Sequence, residues 1–365
     1  YPISLPAAEL SISDVPLAVV SSVPPNVMLL LDNSGSMDNI VWHQGDAAGV
    51  PAYRDSGVTY QSWCGNCTGG DLWNQTNTFM TLSSINGSLA NAAGSCTASN
   101  FNLNPVNIAS PSDPENIYTV NKVLVQGQLG ADPSTVRKCL VLPDVLGNGD
   151  TRYTGQYLNY LFQNFNDGDD LTTVIPFKTR MMVMRDVSSS LVSNTPGMRF
   201  GLTTFDNGNG GTVLQGCRPP GGSPNNNNAV SRAINSLYSD GSTPLAESMY
   251  EITRYFRNMS PAYGSDDDFD DPVQYSCQKN FVIAVTDGDP TSDDSFPTTG
   301  ETAFISENCP EGTNCSIPDW DGMDTTGVTI DTVTRFSDSS QNTLDDIVKF
   351  GYDLDLKTGP GFDTP

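Results

Sequence analysis

The sequence predicts an α/β fold: a doubly wound, Rossmann-like sheet carrying a large disulfide-stapled insertion. Three observations predict it. Two wholly apolar runs each stop at an acidic loop, amphipathic helical segments lie between and after them, and a long Gly-, Asn- and Ser-rich tract with four of the eight cysteines follows the first of those loops. A chain of 365 residues with 37% hydrophobic content can bury a core, while 33 glycines and 25 prolines point to long surface loops.

Residues 8–21 partly alternate and contain Pro16, so they read as an edge strand or extended arm within an amino-terminal segment, 1–23. Val27 to Leu31 follows Pro24-Pro25 as an uninterrupted apolar run, the pattern of a central strand covered on both faces. It ends at Asp32-Asn33-Ser34-Gly35-Ser36, and open α/β sheets bind ligands at the carboxyl ends of such strands. Residues 39–174 form the insertion, with apolar pieces at Tyr118–Leu129 and Tyr157–Phe165; its thin apolar content implies stapling by disulfides.

Regular structure resumes at Lys178–Leu191, where Met181, Met182, Met184, Val187 and Leu191 recur at helical spacing and are expected to pack on the sheet. Met198–Phe205 reads as a strand and Ala229–Tyr238 as a helix. Gly241-Ser242-Thr243-Pro244-Leu245 then opens an amphipathic helix to about Met259, with proline in its first turn. Asn280–Thr286 is the second apolar strand, ending at Asp287-Gly288-Asp289; a possible strand at Gly327–Arg335 and a helix at Leu344–Leu354 complete a domain spanning 24–38 and 175–356, with 357–365 as a tail.

An excess of 42 acidic over 17 basic residues gives a net charge of −25, which repels nucleic acids and anionic membranes. No apolar stretch approaches the roughly 20 residues that span a bilayer. Eight cysteines suit an oxidising compartment and predict disulfides of open connectivity, with Cys64/Cys67 and Cys309/Cys315 as plausible local clips. The sequence opens without signal-peptide features, which fits a mature secreted protein or an excised fragment.

If the topology holds, Asp32, Ser34 and Ser36 from the first loop, Thr243 from the second and Asp287 from the third converge at one sheet edge. All are oxygen donors, suited to a hard divalent cation: Mg²⁺ first, with Mn²⁺ and Ca²⁺ as alternatives. Three hydroxyls and two carboxylates leave a position for an outside ligand, so the cation stays electrophilic towards a carboxylate.

These residues resemble a known family. DNSGSM at 32–37, STPL at 242–245 and TDGD at 286–289 are similar to the three-part metal-ion-dependent adhesion site (MIDAS) of von Willebrand factor A (vWA) and integrin I domains. The flanks, from Val15-Pro16-Leu17 and Pro24–Asp32 through Tyr157-Leu158-Asn159-Tyr160 to Leu344–Phe350, resemble the amino-terminal half of PilC/PilY-family type IV pilus tip proteins. That resemblance spans most of 8–356 but is weak inside the insertion. It implies a non-enzymatic adhesin on the bacterial surface, exported to the pilus tip. Its partners would be minor pilins of the tip complex and a host or surface ligand offering a carboxylate, and a β-propeller would form the carboxyl half. A structural or priming module, in which the metal only ties loops together, is the alternative. The final apolar strand usual for this fold is not evident, so the sheet edge is expected to be open, or completed by residues 8–21 or a partner's strand.

Other chemistries find less support. Trp63-Cys64-Gly65-Asn66-Cys67 resembles a thioredoxin active-site stretch but has no buried strand before it, and a zinc site lacks a second CxxC. A serine hydrolase would have to be built on His43, the single histidine, which reads instead as a loop residue near the metal edge. Metal-assisted hydrolysis at Asp32/Asp287 has no evident general base. The acidic runs 166–170 and 266–271 do not match a calcium-loop pattern and read as solvated loops.

Overall fold

The computed structural model describes residues 23–43, 51–54, 57–65, 72–73, 79–87, 96–110, 114–115, 117–130, 137–206, 208–220, 226–263, 271–288, 290–293 and 344–353. The chain runs through β1 (Asn26–Leu31), a 3-10 turn (Gly35–Asp38), β2 (Trp63–Cys64), β3 (Phe79–Thr81), α1 (Leu82–Gly87), β4 (Val106–Ala109), β5 (Ile117–Leu129), β6 (Arg137–Asp144), β7 (Arg152–Thr154) and α2 (Gly155–Asn164). It continues through α3 (Arg180–Asn194), β8 (Arg199–Phe205), β9 (Gly211–Gln215), α4 (Asn226–Ser236), α5 (Leu245–Phe256), β10 (Asn280–Val285) and α6 (Leu344–Asp353). The architecture is mixed α/β, with parallel and antiparallel strand pairs.

One sheet has the order β10-β1-β8-β9, with β1 parallel to both neighbours and β9 antiparallel to β8. Leu29 lies opposite Ile283 on one side and Leu202 on the other. β1 is buried along its whole length, and the two faces of its pleat meet different helices. Val27, Leu29 and Leu31 pack with Met181, Met184 and Val192 of α3 and with Val230 and Ile234 of α4. Met28 and Leu30 point the opposite way, onto Leu245, Ile252, Tyr255 and Phe256 of α5. Because alternate residues of a strand face opposite sides, cover on both sides requires the continuous apolar run seen in the sequence. Asn26 sets the register at the start of β1: its side-chain amide donates to Asn280 Oδ1 at 2.8 Å and to the Pro272 carbonyl at 3.0 Å. Gly201 on β8 is required by space, since a Cβ there would stand 2.8 Å from Cys217 Sγ and 2.9 Å from Met28 Cε.

Two sequence expectations change. In α3 the buried stripe is Met181, Met184, Ser188 and Val192, whereas Val187 is 63% exposed and Leu191 also faces outward. Val187 and Leu191 share helical spacing with each other but lie off the stripe that meets the sheet. β10 is apolar but not covered on both faces: Phe281 is 49% exposed and Ile283 and Val285 are exposed with it. It is the sheet's edge strand among the described residues, and the arm 8–21, the possible strand 327–335 and Cys309/Cys315 all lie outside those residues. Boundaries also shift slightly. α3 starts at Arg180 because Thr179 caps it, its side chain accepting from Met182 N, and α5 starts at Leu245 and closes at Phe256.

Residues 40–182 build a second core. The long antiparallel pair β5–β6, extended by β2 and β4, packs against α2 around Trp63, Trp73, Tyr153, Tyr157, Tyr160 and Phe162. The expected thin apolar content is corrected by this core, in which Leu82, Val125, Leu140, Leu142, Leu158 and Leu161 are buried together with the aromatic rings. A disulfide joins Cys96 to Cys139 of β6, and Cys64 is disulfide-bonded as well. Ile40 pairs with Thr179, Val41 N donates to the Lys178 carbonyl at 2.9 Å and Arg180 N to the Asn39 carbonyl at 3.0 Å, so the ends of segment 42–177 leave and return side by side. No helix among the described residues is long and apolar enough to cross a membrane.

Leu29→Ala is expected to lower stability by about 2–5 kcal/mol, the cost of a cavity in a two-sided core. Val187→Thr, on the exposed side of α3, should stay within about 0.5 kcal/mol of the parent. Denaturant melts of the two variants test the assignment of faces.

Candidate metal centre

The sheet delivers β1 and β10 in parallel and in register, so the residues that follow them, Asp32 and Thr286-Asp287, emerge side by side. Asp32 is fully buried, and its carboxylate serves both loops. Oδ1 accepts from Ser34 N at 2.7 Å, and Oδ2 accepts from Thr286 Oγ1 at 2.7 Å and from Asp287 N at 3.3 Å. Ser34 Oγ and Ser36 Oγ are 2.9 Å apart, and Ser36 Oγ donates to Asp287 Oδ1 at 2.6 Å. Asp32, Ser34, Ser36 and Asp287 thus form one hydrogen-bonded group.

The second loop is tied to the other two. Gly35 N donates to the Gly241 carbonyl at 3.2 Å, Asp240 N to the Asn33 carbonyl at 2.6 Å, and Thr243 exchanges backbone hydrogen bonds with Thr291 at 3.2 and 3.1 Å. Asp293, from the same stretch as Thr291, accepts from Ala246 N at 2.8 Å and Glu247 N at 2.9 Å, which satisfies the first turn of α5. Thr243 therefore lines the same cleft as the serines and Asp287. Its hydroxyl makes no hydrogen bond with any described residue, unlike the other four side chains.

The cleft encloses about 710 Å³, and residues from 39–180 form its opposite wall. Arg180 Nη1 pairs with Asp287 Oδ2 at 2.6 Å while its guanidinium lies 5.3 Å from the Trp42 ring centre. Arg152 Nη1 donates to the Gly35 carbonyl at 2.5 Å, and its guanidinium sits 4.4 Å from the ring centre of Phe79. Sequence reasoning missed both arginines, and no local pattern could have found them, because each is more than 100 residues from a partner it meets here. It also missed Thr286 as the donor that orients Asp32, although Thr286 belongs to the TDGD match. Beside the cleft, burial pushes the Asp38 carboxyl above its ordinary range, opposed by the Ser239 hydroxyl, which donates to it, and by Arg152 and Arg185.

The chemistry of the donor set fits a hard divalent cation: two carboxylates and three hydroxyls, all oxygen, gathered at one sheet edge. No group of three or more His, Cys, Asp or Glu that could hold a metal occurs among the described residues, so hydroxyls would have to complete the shell. Arg180 compensates part of the charge of Asp287. The chain matches no protein-family model, no curated protein and no solved structure.

Other singled-out residues have local roles. His43 lies outside any helix or strand, as a loop residue, but it is buried and does not line the cleft; its ring nitrogens are 2.9 Å from Tyr157 Oη and 3.1 Å from Tyr160 Oη. Burial also pushes the Tyr157 phenol well above its usual range. In the run 166–170, Asp167 accepts from Cys139 N at 2.7 Å, Asp169 from Asn166 N at 2.8 Å, and Asp170 pairs with Lys122 at 3.0 Å. These carboxylates shape their own loop. Of the run 266–271 only Asp271 is among the described residues, and Cys67 lies outside them.

Asp32→Ala would leave Ser34 N, Thr286 Oγ1 and Asp287 N without their acceptor. It is expected to lower stability by about 1–3 kcal/mol in chelator, the typical penalty of buried unsatisfied groups. Thr243→Val, which removes a hydroxyl that bonds to no described residue, should melt within about 0.5 kcal/mol of the parent. Equal losses in the two would contradict the hydrogen-bond assignment.

Proposed function

We propose that this chain is a metal-dependent adhesion module: a doubly wound vWA-type domain that holds one divalent cation, Mg²⁺ in the first instance, and offers it to a carboxylate of a partner. The observation that carries the reading is the joining of Asp32, Ser34, Ser36 and Asp287 in one hydrogen-bonded group at the carboxyl ends of two parallel strands, with Thr243 lining the same cleft as Ser34, Ser36 and Asp287. Asp32, Ser34, Ser36 and Thr243 would hold the cation directly, and Asp287 directly or through water. When bound, the cation supplies an electrophilic pole that few protein charges neutralise.

The protein's own residues do the rest. Asp32 fixes the spacing of the first and third loops, the Thr243–Thr291 pairing holds the second loop against them, and the packed β1 gives the group a rigid base. In this reading residues 39–174 are an insertion within the vWA domain, supported by the pairing of 39–41 with 178–180, and they supply one wall of the cleft. Placement at a type IV pilus tip, among minor pilins, rests on the resemblance of the flanking segments alone. The Cys96–Cys139 disulfide is compatible with export to an oxidising compartment.

Calorimetric titration of chelator-treated protein with Mg²⁺, Mn²⁺ and Ca²⁺ tests the centre. One saturable site is expected, weakened at least tenfold in Thr243→Val and Ser36→Ala. Absence of binding at millimolar metal, or affinity unchanged in both variants, overturns it. In a piliated host, Thr243→Val should lose surface attachment while piliation persists; loss of piliation instead would make the module structural.

A further inference from the structure

The two arginines of the cleft have donors to spare. Each guanidinium carries five N–H groups, of which one nitrogen on Arg180 is committed to Asp287 and one on Arg152 to the Gly35 carbonyl. No other hydrogen bond joins either guanidinium to a described residue, yet both are partly buried and both line the cleft. Contact with the rings of Phe79 and Trp42 restricts the two guanidiniums, which lowers the entropy lost when a ligand is gripped.

The charge of the cleft points the same way. Asp240 and Asp287 line the cleft with the two guanidiniums, Asp32 lies buried behind them and Asp38 faces Arg152 beside it; four carboxylates against two guanidiniums leave −2, which a divalent cation brings to zero in a chain whose net charge is −25. With a cation bound, the cleft repels an acidic chain less than the rest of this strongly acidic molecule does.

We propose that Arg152 and Arg180 are ligand-contacting, specificity-determining residues and that the ligand is an acidic peptide segment, one carboxylate directed to the Asp32/Ser34/Ser36/Thr243 group and a neighbouring one to the arginines. The position of the first carboxylate rests on the metal-centre reading; the arginine contacts stand on the geometry of the cleft wall. Carboxylates pair with guanidinium through two parallel hydrogen bonds, so lysine does not replace arginine at such a site.

The test is fluorescence anisotropy of a labelled peptide carrying four consecutive glutamates, its glutamine counterpart and an oligoglucuronate, with Mg²⁺ affinity measured on the same samples. With Mg²⁺, the glutamate peptide should bind and the glutamine peptide should not. Arg152→Gln and Arg152→Lys should weaken the glutamate peptide at least tenfold when compared at saturating Mg²⁺. Arg180→Gln should weaken it similarly when compared at saturating Mg²⁺. Mg²⁺ binding without glutamate-peptide binding, or peptide affinity equal in all variants, overturns the inference and leaves the metal centre standing. Arginine-dependent peptide binding without any Mg²⁺ site sustains it and overturns the metal reading. Oligoglucuronate binding tighter than the peptide overturns the choice of ligand class.

Discussion

A buried carboxylate at the end of a buried strand is expensive unless it is hydrogen-bonded, and Asp32 meets that condition by accepting three hydrogen bonds from two loops. Its acceptors orient Ser34 on one side and the Thr286-Asp287 pair on the other, so the geometry of the cleft follows from this one side chain. The constraint works only because β1 and β10 run parallel and in register, which carries the two loops to the same height. The parallel pairing in turn depends on helices over both faces of β1, with α3 and α4 on one side and α5 on the other.

The second core gives the cleft its other half. Its aromatic cluster sets Trp63 and Trp73 against Phe162 and stacks Tyr153 of β7 on Tyr157 and Tyr160 of α2, with Leu140, Leu142, Leu158 and Leu161 packed among them. α3 couples the two cores, sending Met181 and Met184 to the sheet and Met182 to the aromatic cluster. Arg180, in the first turn of that helix, is thereby fixed between both. Trp42 and Phe79 lie against the two guanidiniums, which helps to place them at the cleft wall.

Much of the sheet was legible in the sequence because a strand covered on both faces has no choice of residue. Val27–Leu31 can only be apolar, and its abrupt change to Asp32 marks where cover ends. Asn280–Val285 has the same composition but a different environment, since Phe281, Ile283 and Val285 are exposed at the edge. Composition alone does not distinguish a central strand from an apolar edge. The stripe of α3 was misjudged for a related reason: its methionines suit either core, and only the position of the second core shows which side Met182 faces.

By itself the sequence determined the class of the sheet's central strand, the three loops and the five oxygen-bearing side chains Asp32, Ser34, Ser36, Thr243 and Asp287, because local order and spacing encode strand ends and helix starts. Tertiary structure alone decided which of those oxygens touch, that the Thr243 hydroxyl bonds to none of the others, and that Arg152 and Arg180 enter the cleft. The physical reason is range. Strand periodicity and capping act over a few residues, whereas the contacts Gly35–Arg152 and Arg180–Asp287 join positions more than 100 residues apart and exist only once both cores have packed.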